Sequence, residues 1–190
     1  MTMSGDKYLI DTNVFFELLC VLSGRTVSGN LADLQKIIEG ECYISEITAI
    51  EIESVIGKYA RGESAHWQEC GRIIGADGSK CTRQFFHAGR KKWKKRQITA
   101  MRKLMKDILE GNSNVFSVKI LPLTPNVLSA AKRFVIYAYD NKFGSLDSMI
   151  AGTAKCFKGG ELVVATHDAG LLNALKKDGI SVFQLSLIHI

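Results

Sequence analysis

The stretch K-Y-L-I-D-T-N-V-F-F, Lys7 to Phe16, decides the reading of the fold. Lys7 to Ile10 is short and mostly apolar and stops at the polar Asp11-Thr12-Asn13, as a buried strand does. Helical periodicity then runs from Asn13 to Leu22, with Gly24 and Gly29 punctuating its end. A strand that ends on a carboxylate and turns at once into a helix is a unit of an α/β sheet. The pattern repeats outward. Leu31 to Ile38 predicts a short helix closed by Gly40, Cys42 to Ile44 a strand, and Thr48 to Tyr59 a helix with Ile52, Val55 and Ile56 on one face. Val118 to Leu121 predicts a strand, Pro125 to Ala138 a helix opened by proline, and Leu146 to Cys156 another helix. Leu162 to Ala165 is a very apolar strand, Asp168 to Lys177 a helix and Ser181 to Leu185 a last strand. Continuously apolar strands alternating with helices predict a five-stranded, mainly parallel sheet covered on both faces, a three-layer α/β/α sandwich. Residues 60–114 break the pattern and predict a basic insertion, helical in pieces.

A chain of 190 residues, 46% hydrophobic and 23% charged, suffices for a single domain spanning 1–190 with a conventional core. No run of about 18 apolar residues offers a membrane span. Met1 to Lys7 is polar and lacks the apolar centre of a signal peptide. The five cysteines are odd in number and contain no C-x-x-C pair, which argues against a disulfide framework and a structural zinc site. A cytoplasmic protein is expected. The net charge of +6 is unevenly spread: residues 78–106 hold eleven Lys/Arg and no acid, so the remainder has 14 basic against 19 acidic residues, or −5. So concentrated a field suits a polyanionic partner.

In parallel sheets functional groups gather at the carboxyl ends of strands. Asp11 ends the first strand and Asp168 follows the fourth. Glu51 and Asp147 are expected in the first turns of two helices. Each has an ordinary alternative. Asp11 suits a turn or a helix cap, Thr48-x-x-Glu51 has the form of a capping box, Asp147 suits a helix dipole and Asp168 an N-cap. Gathered at one rim, four acids repel one another unless cations enter. Oxygen-only ligands favour Mg²⁺ or Mn²⁺, ions that activate water and stabilise the leaving oxygen of a phosphodiester.

L-I-D-T-N-V (Leu9 to Val14), S-E-I-T-A-I-E-I (Ser45 to Ile52), L-D-S-M-I-A (Leu146 to Ala151) and V-V-A-T-H-D-A-G-L-L (Val163 to Leu172) together resemble PIN-domain proteins, most closely the VapC-like toxin ribonucleases of toxin–antitoxin pairs. The resemblance covers about two thirds of the chain. It implies that Asp11, Glu51, Asp147 and Asp168 are catalytic and hold Mg²⁺ or Mn²⁺. It also implies that Thr12 or Asn13 braces the site and that Thr166 orients a water or an acid. By the same resemblance the substrate is single-stranded RNA and a cognate antitoxin silences the enzyme; a homodimer is a further candidate assembly. The chain departs from the compact members in residues 57–115, which are longer and more basic. His167 beside Asp168 reads as a solvent-facing or hydrogen-bonding side chain rather than a ligand.

Arg90, Lys91, Lys92, Lys94, Lys95 and Arg96 surround Trp93, a combination that can neutralise phosphates and stack a base, with Phe85 or Phe86 as further platforms. The other reading is a solvated helix packing Trp93, Ile98, Met101, Leu104 and Met105 on the body. One-sided charge favours nucleic-acid contact. Two rivals remain for the whole: a phosphoryl-transfer domain with Asp11 as nucleophile, which fits poorly because Asn13 stands where a second Asp belongs, and a non-catalytic PIN-like RNA- or partner-binding module.

Overall fold

The computed structural model describes residues 6–25 and 29–185; the polar leader Met1 to Gly5 lies outside them. Five strands, β1 (Lys7–Ile10), β2 (Glu41–Ser45), β5 (Lys119–Leu121), β6 (Val163–Thr166) and β7 (Val182–Gln184), form one parallel sheet in the order β5-β2-β1-β6-β7. β1 is central and pairs Leu9 with Tyr43 on one side and Val164 on the other. Alternation along the strands divides the core into two layers. Tyr8, Ile10, Cys42, Ile44 and Ala165 face helices α1 (Thr12–Leu22), α2 (Leu31–Glu39), α3 (Glu46–Arg61) and α4 (Lys95–Leu109). Leu9, Tyr43 and Val164 face α5 (Pro125–Phe134), α6 (Ser145–Cys156) and α7 (Ala169–Lys177). The three-layer sandwich expected from the strand–helix alternation is present. No helix among the described residues is long and apolar enough to cross a membrane.

Three local expectations are corrected. α3 begins at Glu46, because the hydroxyl of Ser45, in extended backbone at the end of β2, accepts the Ile47 N–H at 3.3 Å and caps the helix there. Glu51 therefore stands in the second turn of α3, not the first. The Thr48-x-x-Glu51 capping box does not form; Thr48 Oγ1 is buried with no hydrogen-bond partner among the described residues. The helix expected to run to Ala138 is α only to Phe134 and tightens into a 3₁₀ turn over Val135–Tyr139, where β-branched and aromatic residues crowd the backbone.

Residues 60–114 divide in two. The first part is an antiparallel ribbon of β3 (His66–Glu69) and β4 (Gln84–His87), extended by bridges Glu63↔Arg90 and Ile73↔Lys80. Glycines at 62, 71, 75, 78 and 89 work against a helix here. Gly62 (φ 67°) and Gly89 (φ 72°) are required at the ribbon's root: a Cβ at Gly62 would meet Lys92 Cβ at 2.8 Å, and one at Gly89 would meet the Glu63 carbonyl oxygen at 2.5 Å. The second part, α4, is helical as expected. It buries Ile98, Met101, Met105 and Ile108 in the same layer as α1 and α3.

Candidate active site

Asp11 and Asp168 stand where β1 and β6 hand over to helices, whereas Glu51 lies in the second turn of α3 and Asp147 in the first turn of α6. Asp11, 3% exposed, follows β1 and caps α1. Its Oδ1 accepts the Thr12 N–H at 2.6 Å and its Oδ2 accepts the Thr166 hydroxyl at 2.8 Å. A helix cap ordinarily reaches the second or third helical N–H, whereas Thr12 is the first residue of α1, so this carboxylate is held by more than capping. Glu51 Oε2 accepts the Thr12 hydroxyl at 2.6 Å. Asp168 caps α7 through Leu171 N–H (2.8 Å), and its own N–H donates to Thr166 Oγ1 at 2.9 Å. Asp147, in the first turn of α6, accepts the Gly144 N–H at Oδ2 (2.7 Å). Capping is thus one role of Asp147 and Asp168 and no role of Glu51. Thr12 ties Asp11 to Glu51, and Thr166 ties Asp11 to Asp168. Among the described residues Glu51 Oε1, Asp147 Oδ1 and Asp168 Oδ2 carry no protein hydrogen bond.

Burial pushes the Asp11 carboxyl up to about 7; the bonds from Thr166 and Thr12 oppose that rise, and the nearby charges of Asp147 and Glu51 add to it. Burial also raises Asp147, against the Gly144 N–H, and the charge of Asp168 raises it further. The acids therefore sense one another in the series Glu51, Asp11, Asp147, Asp168. No three of their oxygens lie within 4.8 Å of one another among the described residues. The donor set, carboxylate oxygens with no His or Cys among them, suits a hard divalent cation by its chemistry; such an ion would have to draw the carboxylates closer together and would offset their burial and repulsion.

Asn13 is exposed and makes no hydrogen bond to the acids, whereas Thr12 bonds both Asp11 and Glu51. Asn13 instead lines a groove of about 1060 Å³ whose walls also include Asp168, Lys91, Lys92 and Trp93. His167 faces the same groove. Its Nε2 lies 2.5 Å from Glu17 Oε2, so the ring is hydrogen-bonded, as expected from the sequence. That pairing joins residues 150 apart and has no local signature in the sequence.

Trp93 satisfies part of both readings of the basic segment. Its ring packs on Tyr59 (centroids 4.4 Å) and Phe16 (6.0 Å), with the Arg25 guanidinium 4.3 Å above it, yet it lines the groove. The segment does not present a single face. Arg90 pairs with Glu63 at the ribbon root (3.5 Å), Lys91 and Lys92 line the groove, and Lys94, Lys95 and Arg96 lie exposed at the start of α4. Phe85 and Phe86 are on β4, exposed and away from the groove lining.

The five-stranded parallel sheet in the order β5-β2-β1-β6-β7, between helices on both faces, is the PIN-like three-layer fold that the motif resemblance implied. Among solved structures the chain is similar to a chain of FitAcB from Neisseria gonorrhoeae, with TM-score 0.58 and 21% identity over 93% of this chain and 96% of that one. It is also similar to a chain of VapBC2 from Rickettsia felis bound to a DNA fragment from their promoter, with TM-score 0.54 and 12% identity over 94% and 98%. No protein-family model and no curated protein matches the sequence.

Proposed function

We propose that the protein is a Mg²⁺- or Mn²⁺-dependent endoribonuclease that hydrolyses single-stranded RNA, acting as the toxin of a toxin–antitoxin pair. The observation that carries the reading is the buried Asp11 carboxylate, bracketed by Thr12 and Thr166 and within reach of the charges of Glu51 and Asp147. Glu51, Asp147 and Asp168 would hold the ion through their free oxygens together with Asp11. An ion held there would supply a more acidic bound water and charge compensation at the leaving oxygen. Thr166 keeps Asp11 and Asp168 in fixed relation, since its one hydroxyl donates to the first and accepts from the second. Lys91 and Lys92 would hold phosphates along the groove, and the exposed edge of Trp93 would contact a base beside them.

The toxin assignment rests on the likeness of fold to chains of FitAcB and VapBC2 and on the motif resemblance. The partner would be an antitoxin that covers the groove, its acidic residues meeting the basic segment. Cleavage of mixed RNA and DNA oligonucleotides in Mg²⁺, in Mn²⁺ and in excess EDTA tests the enzymatic reading. RNA cleavage that needs the ion is expected, and undiminished cleavage in EDTA would overturn it.

A further inference from the structure

Away from the acidic rim, the root of the β3–β4 ribbon gathers a second set of ligand atoms. One atom each of Glu63, His66 and His87 lies within 4.8 Å of the others, the one such set among the described residues. Strand pairing makes it: His66 stands opposite His87 in the antiparallel register, and their rings stack with centroids 5.1 Å apart and planes 8° from parallel. Glu63 Oε1 lies 3.7 Å from His87 Nε2.

We propose that Glu63, His66 and His87 form a binding site for a borderline divalent transition-metal ion, with Zn²⁺ the species the ligands fit best. Two imidazoles and one carboxylate supply three ligands of the type found in zinc sites with an open fourth position. The hard ions suited to the acidic rim have little preference for imidazole. His66 Nδ1–H donates to the Ser64 carbonyl oxygen at 3.0 Å, the usual support of a metal-binding histidine, and leaves Nε2 for the ion once the near-parallel rings turn so that their lone pairs converge. His87 Nδ1 accepts the Gly89 N–H at 3.2 Å, and binding through Nε2 exchanges that long hydrogen bond for the ion. Arg90 lies 3.5 Å from Glu63 Oε2, leaving Oε1 for the metal. The ion would tie the chain just before β3 to the end of β4. It would thereby fix Arg90 and the residues leading to Lys91, Lys92 and the groove.

The test is a calorimetric Zn²⁺ titration of the full chain in excess Mg²⁺, which keeps the acidic rim supplied with its own ion. One equivalent of Zn²⁺ is expected to bind, with imidazole NMR resonances of His66 and His87 moving together. His66→Gln and His87→Gln should each weaken binding by more than about tenfold, since even losing a supporting group of a metal ligand costs about that much. Asp11→Asn and the Cys70→Ser/Cys81→Ser pair should bind as the unaltered chain does. Unchanged affinity in the histidine variants, or loss of binding in the aspartate or cysteine variants, would overturn the proposal. The ribbon is exposed and outside both core layers, so the histidine and cysteine variants keep the fold.

Discussion

Asp11 concentrates the tension of the acidic rim in one side chain. A carboxyl with an ordinary value of 3.8, raised to about 7 chiefly by burial, holds its proton in the folded state over a pH range where the unfolded chain has lost it. The stability linked to that proton is fully present below about pH 4 and is lost as pH rises through about 7. Metal-free protein should therefore resist urea better at about pH 5 than at about pH 8. Asp11→Asn, which cannot ionise, should lack this contribution and gain stability at the higher pH. Urea unfolding at the two pH values checks both, and a variant that follows the parent's pH trend would return Asp11 to a purely structural role. The same substitution should lower RNA cleavage by orders of magnitude, because it removes a hard ligand while keeping the shape. Thr166→Val probes the hydroxyl that joins Asp11 to Asp168. Removing such an outer bond is expected to weaken Mn²⁺ binding by about 10- to 100-fold, read by metal titration of cleavage, with the fold intact by circular dichroism.

At the scale of elements, the basic segment is divided by its structure, and that division makes a prediction. Lys91 and Lys92 line the groove, whereas Lys95 and Arg96 point from the start of α4 into solvent. Replacing the first pair with Gln should flatten the salt dependence of RNA binding, by roughly 0.7 in log–log slope for each phosphate no longer neutralised. Replacing the second pair should change it less, and equal effects would mean that RNA follows α4 rather than the groove. Legibility in the sequence follows the same physical lines. The sheet strands and most of the helices are legible because each buries an apolar run or stripe, and Asp11 and Asp168 are legible because each follows such a run. The start of α3 is not, because Ser45 and Thr48 are both cap-forming residues and only backbone geometry chooses between them. The ribbon escapes a sequence reading because β3 and β4 are almost wholly exposed and show no buried alternation to betray them. Contacts made by pairing distant residues, such as Glu17 with His167 and His66 with His87, leave no local trace at all.

For the whole molecule, the acidic rim and the two core layers are linked through β1, which sits in the middle of the sheet and delivers Asp11 to its edge. On the proposed function, an ion held by Asp11, Glu51, Asp147 and Asp168 would join the end of β1, the second turn of α3, the first turn of α6 and the cap of α7. Those elements come from both faces of the sheet. Binding that requires all of them assembled stabilises only the folded chain, so the melting temperature should rise with Mg²⁺ or Mn²⁺. At a hundredfold excess over Kd the gain is about 2.7 kcal/mol. Asp11→Asn should show two departures in paired thermal melts. In EDTA at about pH 8, where the parent's Asp11 is ionised, it should melt at the same or a higher temperature than the parent, because it no longer buries a charge among like charges. With Mg²⁺ it should gain much less, because the ion has lost its central ligand. Helix capping predicts the opposite pair, since losing a cap costs about 0.5 to 2 kcal/mol regardless of metal. An Asp11→Asn protein that melts clearly lower in EDTA, and that Mg²⁺ stabilises as much as the parent, would leave the rim as a set of capping residues and remove the basis for metal-dependent cleavage.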